Sequence, residues 1–201
     1  MAGKQKHRYP RRPPRLERLF ANAHSFYFVT FNTYARLPLL ARQEVHETFC
    51  SFCLRAQEHA IAVGRYVLMP DHVHLFVAFP PDGPTLARWV HTLRTIIGKK
   101  LLDLGVTKPH WQEGFFDHLL RSGESYSQKW EYVRMNPVRA GLSETPENWP
   151  YQGEIMSLRF VNLEARRPVV VLLCRGTHAD GAPYLQRQRI STVIGNRWLI
   201  M

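Results

Sequence analysis

Acidic residues are in short supply in this chain: 16 Asp and Glu stand against 27 Lys and Arg in 201 residues, a formal net charge of +11 at pH 7. Such an imbalance argues against a cationic partner and favours a polyanionic one. Nucleic acid comes before membrane, because no amphipathic anchor or lipidation signal is present. Cysteine is sparse, at three residues. An odd, thin set excludes a disulfide framework and fits a reducing cytoplasm. No run of 18 apolar residues occurs, which excludes a membrane-spanning helix. The first residues lack the apolar core of a secretory signal. What remains is ordinary globular material, 45% hydrophobic and 21% charged, enough for one domain with a real core plus tails.

Residues 1–19 are basic and proline-rich, with Lys4, Lys6, Arg8, Arg11, Arg12, Arg15 and Arg18 against Glu17. Pro10, Pro13 and Pro14 oppose a helix, so this part reads as a flexible arm, either lying along phosphates or simply solvated. Residues 20–155 carry the periodic pattern of a domain. Ser25 to Phe31 is aromatic and β-branched, hence a strand. Residues 38–62 read as a helix with Val45, Phe49, Phe52, Cys53, Ala56 and Ala60 inward. Strands follow at 64–69 and 72–79, separated by Pro70-Asp71. Residues 84–104 form a second helix with Leu86, Trp89, Val90, Leu93, Ile97 and Leu101 inward, leaving Arg88, Arg94, Lys99 and Lys100 as candidates for its solvent or DNA side. A short strand is expected within 111–120. Ser122 can cap a third helix running to about Met135 or a turn beyond, because Pro137 disfavours a helical Asn136; Gly141 ends the element.

The order β-α-β-β-α-β with an added helix predicts an α+β, ferredoxin-like (split β-α-β) antiparallel sheet, helices on one face plus a C-terminal catalytic helix. Residues 156–201 are an extension of unknown role, in which 168–174 is a strand candidate. Cys50 and Cys53 make one CxxC on the first helix. One such pair cannot complete a tetrahedral zinc site, so it reads as packing.

Two places carry candidate chemistry. In the strand 72–79 successive side chains alternate, so His72 and His74 share a face about 7 Å apart. Val73, Leu75, Val77 and Phe79 take the opposite, uniformly apolar face. Two adjacent imidazoles can begin a divalent metal site. Ten histidines in the chain make such a pair common, and a half-buried pair bonded to its neighbours is the competing reading. On the third helix Tyr132 and Asn136 lie four residues apart and project from one face. Asn136 offers an amide oxygen to a metal and Tyr132 a phenolic oxygen to a phosphate. The competing reading is an amphipathic tyrosine followed by an Asn-Pro helix stop. Tyr126 is a rival nucleophile, nearly opposite Tyr132 around the helix.

Three segments, in order and spacing, carry a resemblance: Val67-Leu-Met-Pro-Asp-His-Val-His-Leu-Phe-Val77, Trp111-Gln-Glu-Gly-Phe-Phe-Asp-His-Leu-Leu-Arg121 and Tyr132-Val-Arg-Met-Asn-Pro-Val-Arg-Ala-Gly-Leu142. Over roughly residues 20–152, closing at Trp149-Pro150-Tyr151, the chain resembles the HUH single-tyrosine transposases, and within them the REP-associated tyrosine transposases of bacteria. The resemblance implies His72 and His74 as metal ligands, Asn136 in the place of the third, and Tyr132 as nucleophile. It implies Mg²⁺ or Mn²⁺ as cofactor and single-stranded or hairpin DNA as partner. The implied reaction is cleavage and rejoining through a covalent phosphotyrosine. His118, Arg121, Arg134 and Arg139 are candidate phosphate contacts, and metal-bound water or Asp117 candidate proton acceptors. A cytoplasmic protein, nucleoid-associated when bound to DNA and monomeric or homodimeric, is the expected setting. The alternatives are a non-catalytic single-strand-binding module with Tyr27, Tyr66 and Phe76 as stacking candidates, and an inactive relic.

Overall fold

The computed structural model describes residues 25–120, 123–163, 167–173, 190–194 and 197–200. The basic arm at 1–19, Arg121, Ser122 and Cys174 lie outside the described residues. Strand β1 (Ser25–Asn32) alternates aromatic and β-branched side chains that are covered on both faces, as a central strand requires. Helix α1 (Gln43–Arg55) is shorter than the pattern of apolar residues predicts. Its expected first turn is used otherwise: the Leu40 amide donates to the Pro70 carbonyl at 2.8 Å, and Leu39 and Leu40 are buried. A 3-10 turn over Ala56–His59 and a left-handed Ala60 then close the helix. Val45, Phe49, Cys53 and Ala56 are buried as expected, and Cys53 packs as an apolar side chain.

Strands β2 (Ala62–Leu68) and β3 (His72–Phe79) form an antiparallel hairpin. Helix α2 (Leu86–Asp103) is capped by the Thr85 hydroxyl, which accepts from the Arg88 amide, and all six of its predicted inward residues are buried. Strand β4 (Phe116–Leu119), helix α3 (Gly123–Arg134), helix α4 (Asn136–Arg139) and strand β5 (Gln152–Glu154) follow. The sheet order is β4-β1-β3-β2-β5. The connection through α1 skips one place and β3 fills the gap antiparallel to both neighbours. This is the split β-α-β arrangement, with β5 as an extra edge strand.

The sheet is covered on both sides, which decides what its residues can do. On one face Val29, Phe31, Val73, Leu75 and Val77 pack against α1 and α2. On the other, Phe26, Phe28, Val67, Phe76 and Ala78 pack against Tyr126 and Val133 of α3. Burial of a side chain such as Phe76 contributes roughly 2–3 kcal/mol, so α3 is docked by its own apolar stripe. Met156 and Leu158 join this second core. A Cβ added at Gly64 would stand 2.7 Å from Leu158 Cδ1, which accounts for a glycine inside β2.

Beyond the first sheet, β6 (Ser157–Leu163), β7 (Arg167–Leu173), β8 (Ile190–Ile194) and β9 (Arg197–Ile200) make a second antiparallel sheet in sequential order. Only the strand at 168–174 is expected from the sequence. The others lack a clear alternation there. Among the described residues no helix is long and apolar enough to cross a membrane.

Candidate functional site

Register places the chemistry. β1 pairs with β3 so that Asn32 stands opposite His72 and Thr30 opposite His74. The two imidazoles therefore share the face covered by α3, with ring centroids 4.6 Å apart and planes near perpendicular. His74 lies stacked on Phe28 at 5.5 Å.

Both rings are held by the same nitrogen. His72 Nδ1 lies 2.6 Å from Asp71 Oδ1, and His74 Nδ1 lies 2.7 Å from Thr30 Oγ1. A carboxylate accepts only from a protonated Nδ1, which leaves the His72 Nε2 lone pair outward; the Thr30 hydroxyl leaves the same lone pair on His74 when it accepts. Asp71 is itself held by Arg36, whose Nε approaches Oδ2 at 2.7 Å, while Arg36 Nη1 donates to Asn32 Oδ1 at 2.6 Å. Arg36 reaches both from a left-handed backbone, φ 58°. Such a conformation costs a non-glycine residue about 1 kcal/mol and persists only where its surroundings over-determine it.

Burial sets the protonation state. Desolvation lowers the pKa of His72 against the opposing pull of Asp71, and lowers that of His74 to about 3. The charges of His72, Arg36 and Arg139 add to the effect on His74, which ties α4 electrostatically to the pair. Neutral imidazoles with free Nε2 atoms are the form that binds a metal. Asp71→Ala is expected to weaken Mn²⁺ binding roughly 10–100-fold by calorimetry; an unchanged affinity would show that the carboxylate does not set the ring.

Tyr132 is exposed, 66% of its surface open. Helix α3 ends with Arg134, and Asn136 opens α4 with Pro137 in its first turn. The expectation that Pro137 keeps Asn136 out of a helix is corrected here. The chain breaks at Met135 and restarts, and a proline in a first turn has no intrahelical donor to lose. Arg139 fastens this restart to the last turn of α3. It donates to the Tyr132 carbonyl and to Asn136 Oδ1, and its guanidinium lies 4.2 Å from the Tyr132 ring centroid. Gly141, at φ 67°, ends α4.

The other sequence candidates fall in different places. Arg134 is ion-paired with Glu131 at 2.7 Å and Glu147 at 2.9 Å. Arg94 donates to the carbonyls of Gln112 and Gly114 and covers the Trp111 ring, so it clasps the loop before β4. Arg94, exposed Lys99 and half-buried Lys100 all belong to α2, across the sheet from the histidines. Arg121 lies outside the described residues. Asp117 aligns with Val29 and so faces the α1–α2 side, away from the pair. Tyr126, the rival nucleophile, is buried, and desolvation raises its pKa. Tyr66 and Phe76 are buried too, and half-buried Tyr27 packs edge-on to Phe79 at the helix-layer face, so none of the three offers an open stacking platform.

Sequence reasoning missed Asp71, Thr30 and Arg36. Asp71 reads as turn punctuation, and the other two need the register of β1 on β3. Among the described residues no group of three or more His, Cys, Asp and Glu forms a metal cluster. Two imidazoles fall short of the four ligands of a closed structural site.

No protein-family model matches the chain. A Haemophilus influenzae protein assigned as a REP-associated tyrosine transposase is 22% identical over 139 residues, 62% of this chain and 77% of that protein. The REP-associated tyrosine transposase of Escherichia coli is 25% identical over 96 residues, 47% of this chain and 55% of that protein. A solved structure of a REP-associated tyrosine transposase bound to a REP hairpin superposes with a TM-score of 0.50 at 23% identity, covering 64% of this chain and 75% of that one. The chain is thus similar to the REP-associated tyrosine transposases in sequence and shares their α+β fold, as the three motifs imply.

Proposed function

We propose that the chain cleaves and rejoins single-stranded, hairpin-forming DNA through a covalent bond to Tyr132. The supporting observation is the paired orientation of His72 and His74, each held at Nδ1 with Nε2 left for a ligand, on the face where α3 presents an exposed tyrosine. His72, His74 and the Asn136 amide oxygen would hold Mg²⁺ or Mn²⁺. Asn136 Oδ1 accepts from Arg139, and that contact would yield to the metal. The bound ion supplies positive charge that offsets the negative charge developing at phosphorus.

The chain's own groups do the rest. Tyr132 Oη attacks the phosphorus and loses its proton; the bond from phosphorus to the 3′ oxygen breaks, and that oxygen leaves as a hydroxyl after taking up a proton. The 5′ side stays on the tyrosine. Rejoining is the reverse, with another 3′-hydroxyl, so no nucleotide triphosphate is consumed. Arg139 holds Tyr132 and Asn136 in register throughout. The partner is hairpin DNA, in keeping with the REP hairpin bound by the solved relative.

The test is a denaturing gel of the purified protein incubated with hairpin-bearing single strands from the DNA flanking its own gene, with Mn²⁺ or with EDTA. A shifted band that survives denaturation with Mn²⁺ and disappears with EDTA is expected. Binding without a covalent band on any flanking strand would point instead to a non-catalytic module.

A further inference from the structure

Beyond the histidines and the tyrosine, the same face carries an aromatic ring and a cation that the cleavage reaction leaves unassigned. Phe116 lies on edge strand β4 and is 52% exposed. Its register partner is Thr30, which in turn stands opposite His74. Phe116 and His74 are therefore on one rung of the sheet, two strand spacings or about 10 Å apart. Between them, Phe28 stacks on His74 and meets Phe116 edge-on, with centroids 6.4 Å apart. Above Phe28 stands Lys129 of α3, its Nζ 5.6 Å from the ring centroid and one helical turn before Tyr132.

Lys129 differs from three arginines of the described residues. Arg36, Arg65 and Arg134 each have a carboxylate partner. Among the described residues Lys129 has none, yet it is half-buried. An ammonium without a carboxylate partner, over a ring that itself meets the exposed Phe116, leaves room for an anion beside it. Half of the Phe116 ring stays open although it meets the core at Phe28.

We propose that Phe116 and Lys129 form a nucleotide subsite beside the histidine pair, for the single-stranded nucleotide flanking the cleaved phosphodiester. Its base stacks on Phe116 and its phosphate meets Lys129. This rests on the reading of the face as a DNA-cleaving centre. Stacking is tolerant of sequence because every base has a π-face, so the subsite supplies position rather than base readout.

The experiment measures affinity of the full chain in EDTA, so that no chemistry intervenes, for a labelled oligothymidylate of about ten nucleotides. Phe116→Ala is expected to lose roughly five- to hundred-fold in affinity, while Phe116→Trp retains it. Lys129→Ala is expected to flatten the dependence of log affinity on log salt by about one unit, and Lys129→Arg to restore it. Phe116 is exposed, so its loss is not expected to unfold the protein. Wild-type affinity in Phe116→Ala together with an unaltered salt slope in Lys129→Ala would overturn the proposal. Wild-type protein that forms no covalent adduct, while these variants lose binding as described, would remove the cleavage reading and leave the subsite standing. Adducts formed normally by wild type, with both variants binding as wild type, would do the reverse.

Discussion

Tyr132→Phe is expected to abolish the covalent protein–DNA band, a fall of at least about 10⁴-fold in the rate of adduct formation, while changing hairpin affinity less than about threefold. The substitution removes one oxygen and nothing else. The ring keeps its place under the Arg139 guanidinium, 4.2 Å away. Because 66% of Tyr132 is open to solvent, the variant loses little packing, and surface changes of this kind stay within about 0.5 kcal/mol of stability. Neither Tyr126 nor Tyr66 stands ready to replace it. Tyr126 is buried and harder to ionise than an ordinary tyrosine, and Tyr66 is buried, with its hydroxyl bonded to His46 Nε2 at 2.8 Å. Residual adduct in the variant, traced by peptide mapping to any other side chain, would sink the assignment. Loss of binding along with the adduct would show instead that the phenol holds DNA rather than attacking it.

The sequence is legible where one periodicity controls one face. Val73, Leu75 and Val77 alternate with His72 and His74, so β3 and the shared face of the histidines follow from the pleat alone. The stripe of α2 is equally plain, and all six of its predicted inward residues are buried. The failures have a common cause, which is contact between segments distant in sequence. Phe76 and Tyr66 look like open stacking residues until α3 and α1 are laid over the two faces of the sheet. Thr30 becomes an imidazole partner only through the register of β1 on β3, and Asp71 only through the turn that brings its carboxylate to His72. Arg94 reads as a surface cation, but it is occupied by carbonyls from a loop some twenty residues on. Asn136 is misjudged for a local reason: the rule against a helical residue before proline yields when a new helix starts there.

The histidine pair should bind Mn²⁺ over a wider acid range than histidines normally allow, and lose it when either ring is removed. Metal competes with protons for the same nitrogen, so an ordinary imidazole releases metal as pH falls through about 6.5. Desolvation lowers both rings below that value and takes His74 to about 3. Affinity should therefore persist to lower pH than an ordinary imidazole pair allows, and His74→Phe should abolish it at every pH. The same shift acts on folding with a definite sign. Between about pH 6.5 and 3 the unfolded chain binds a proton at His74 that the folded chain refuses. The metal-free protein is thus most stable above that window and loses stability as pH falls through it, by up to about 5 kcal/mol. His74→Phe keeps an aromatic ring against Phe28 and removes the titrating group, so its stability should be the less acid-sensitive of the two in urea titrations. If Mn²⁺ binding instead fell away with a midpoint near 6.5, and the two proteins lost stability in parallel, the histidines would be solvated and ordinary, and the buried, pre-oriented pair would no longer support a metal centre.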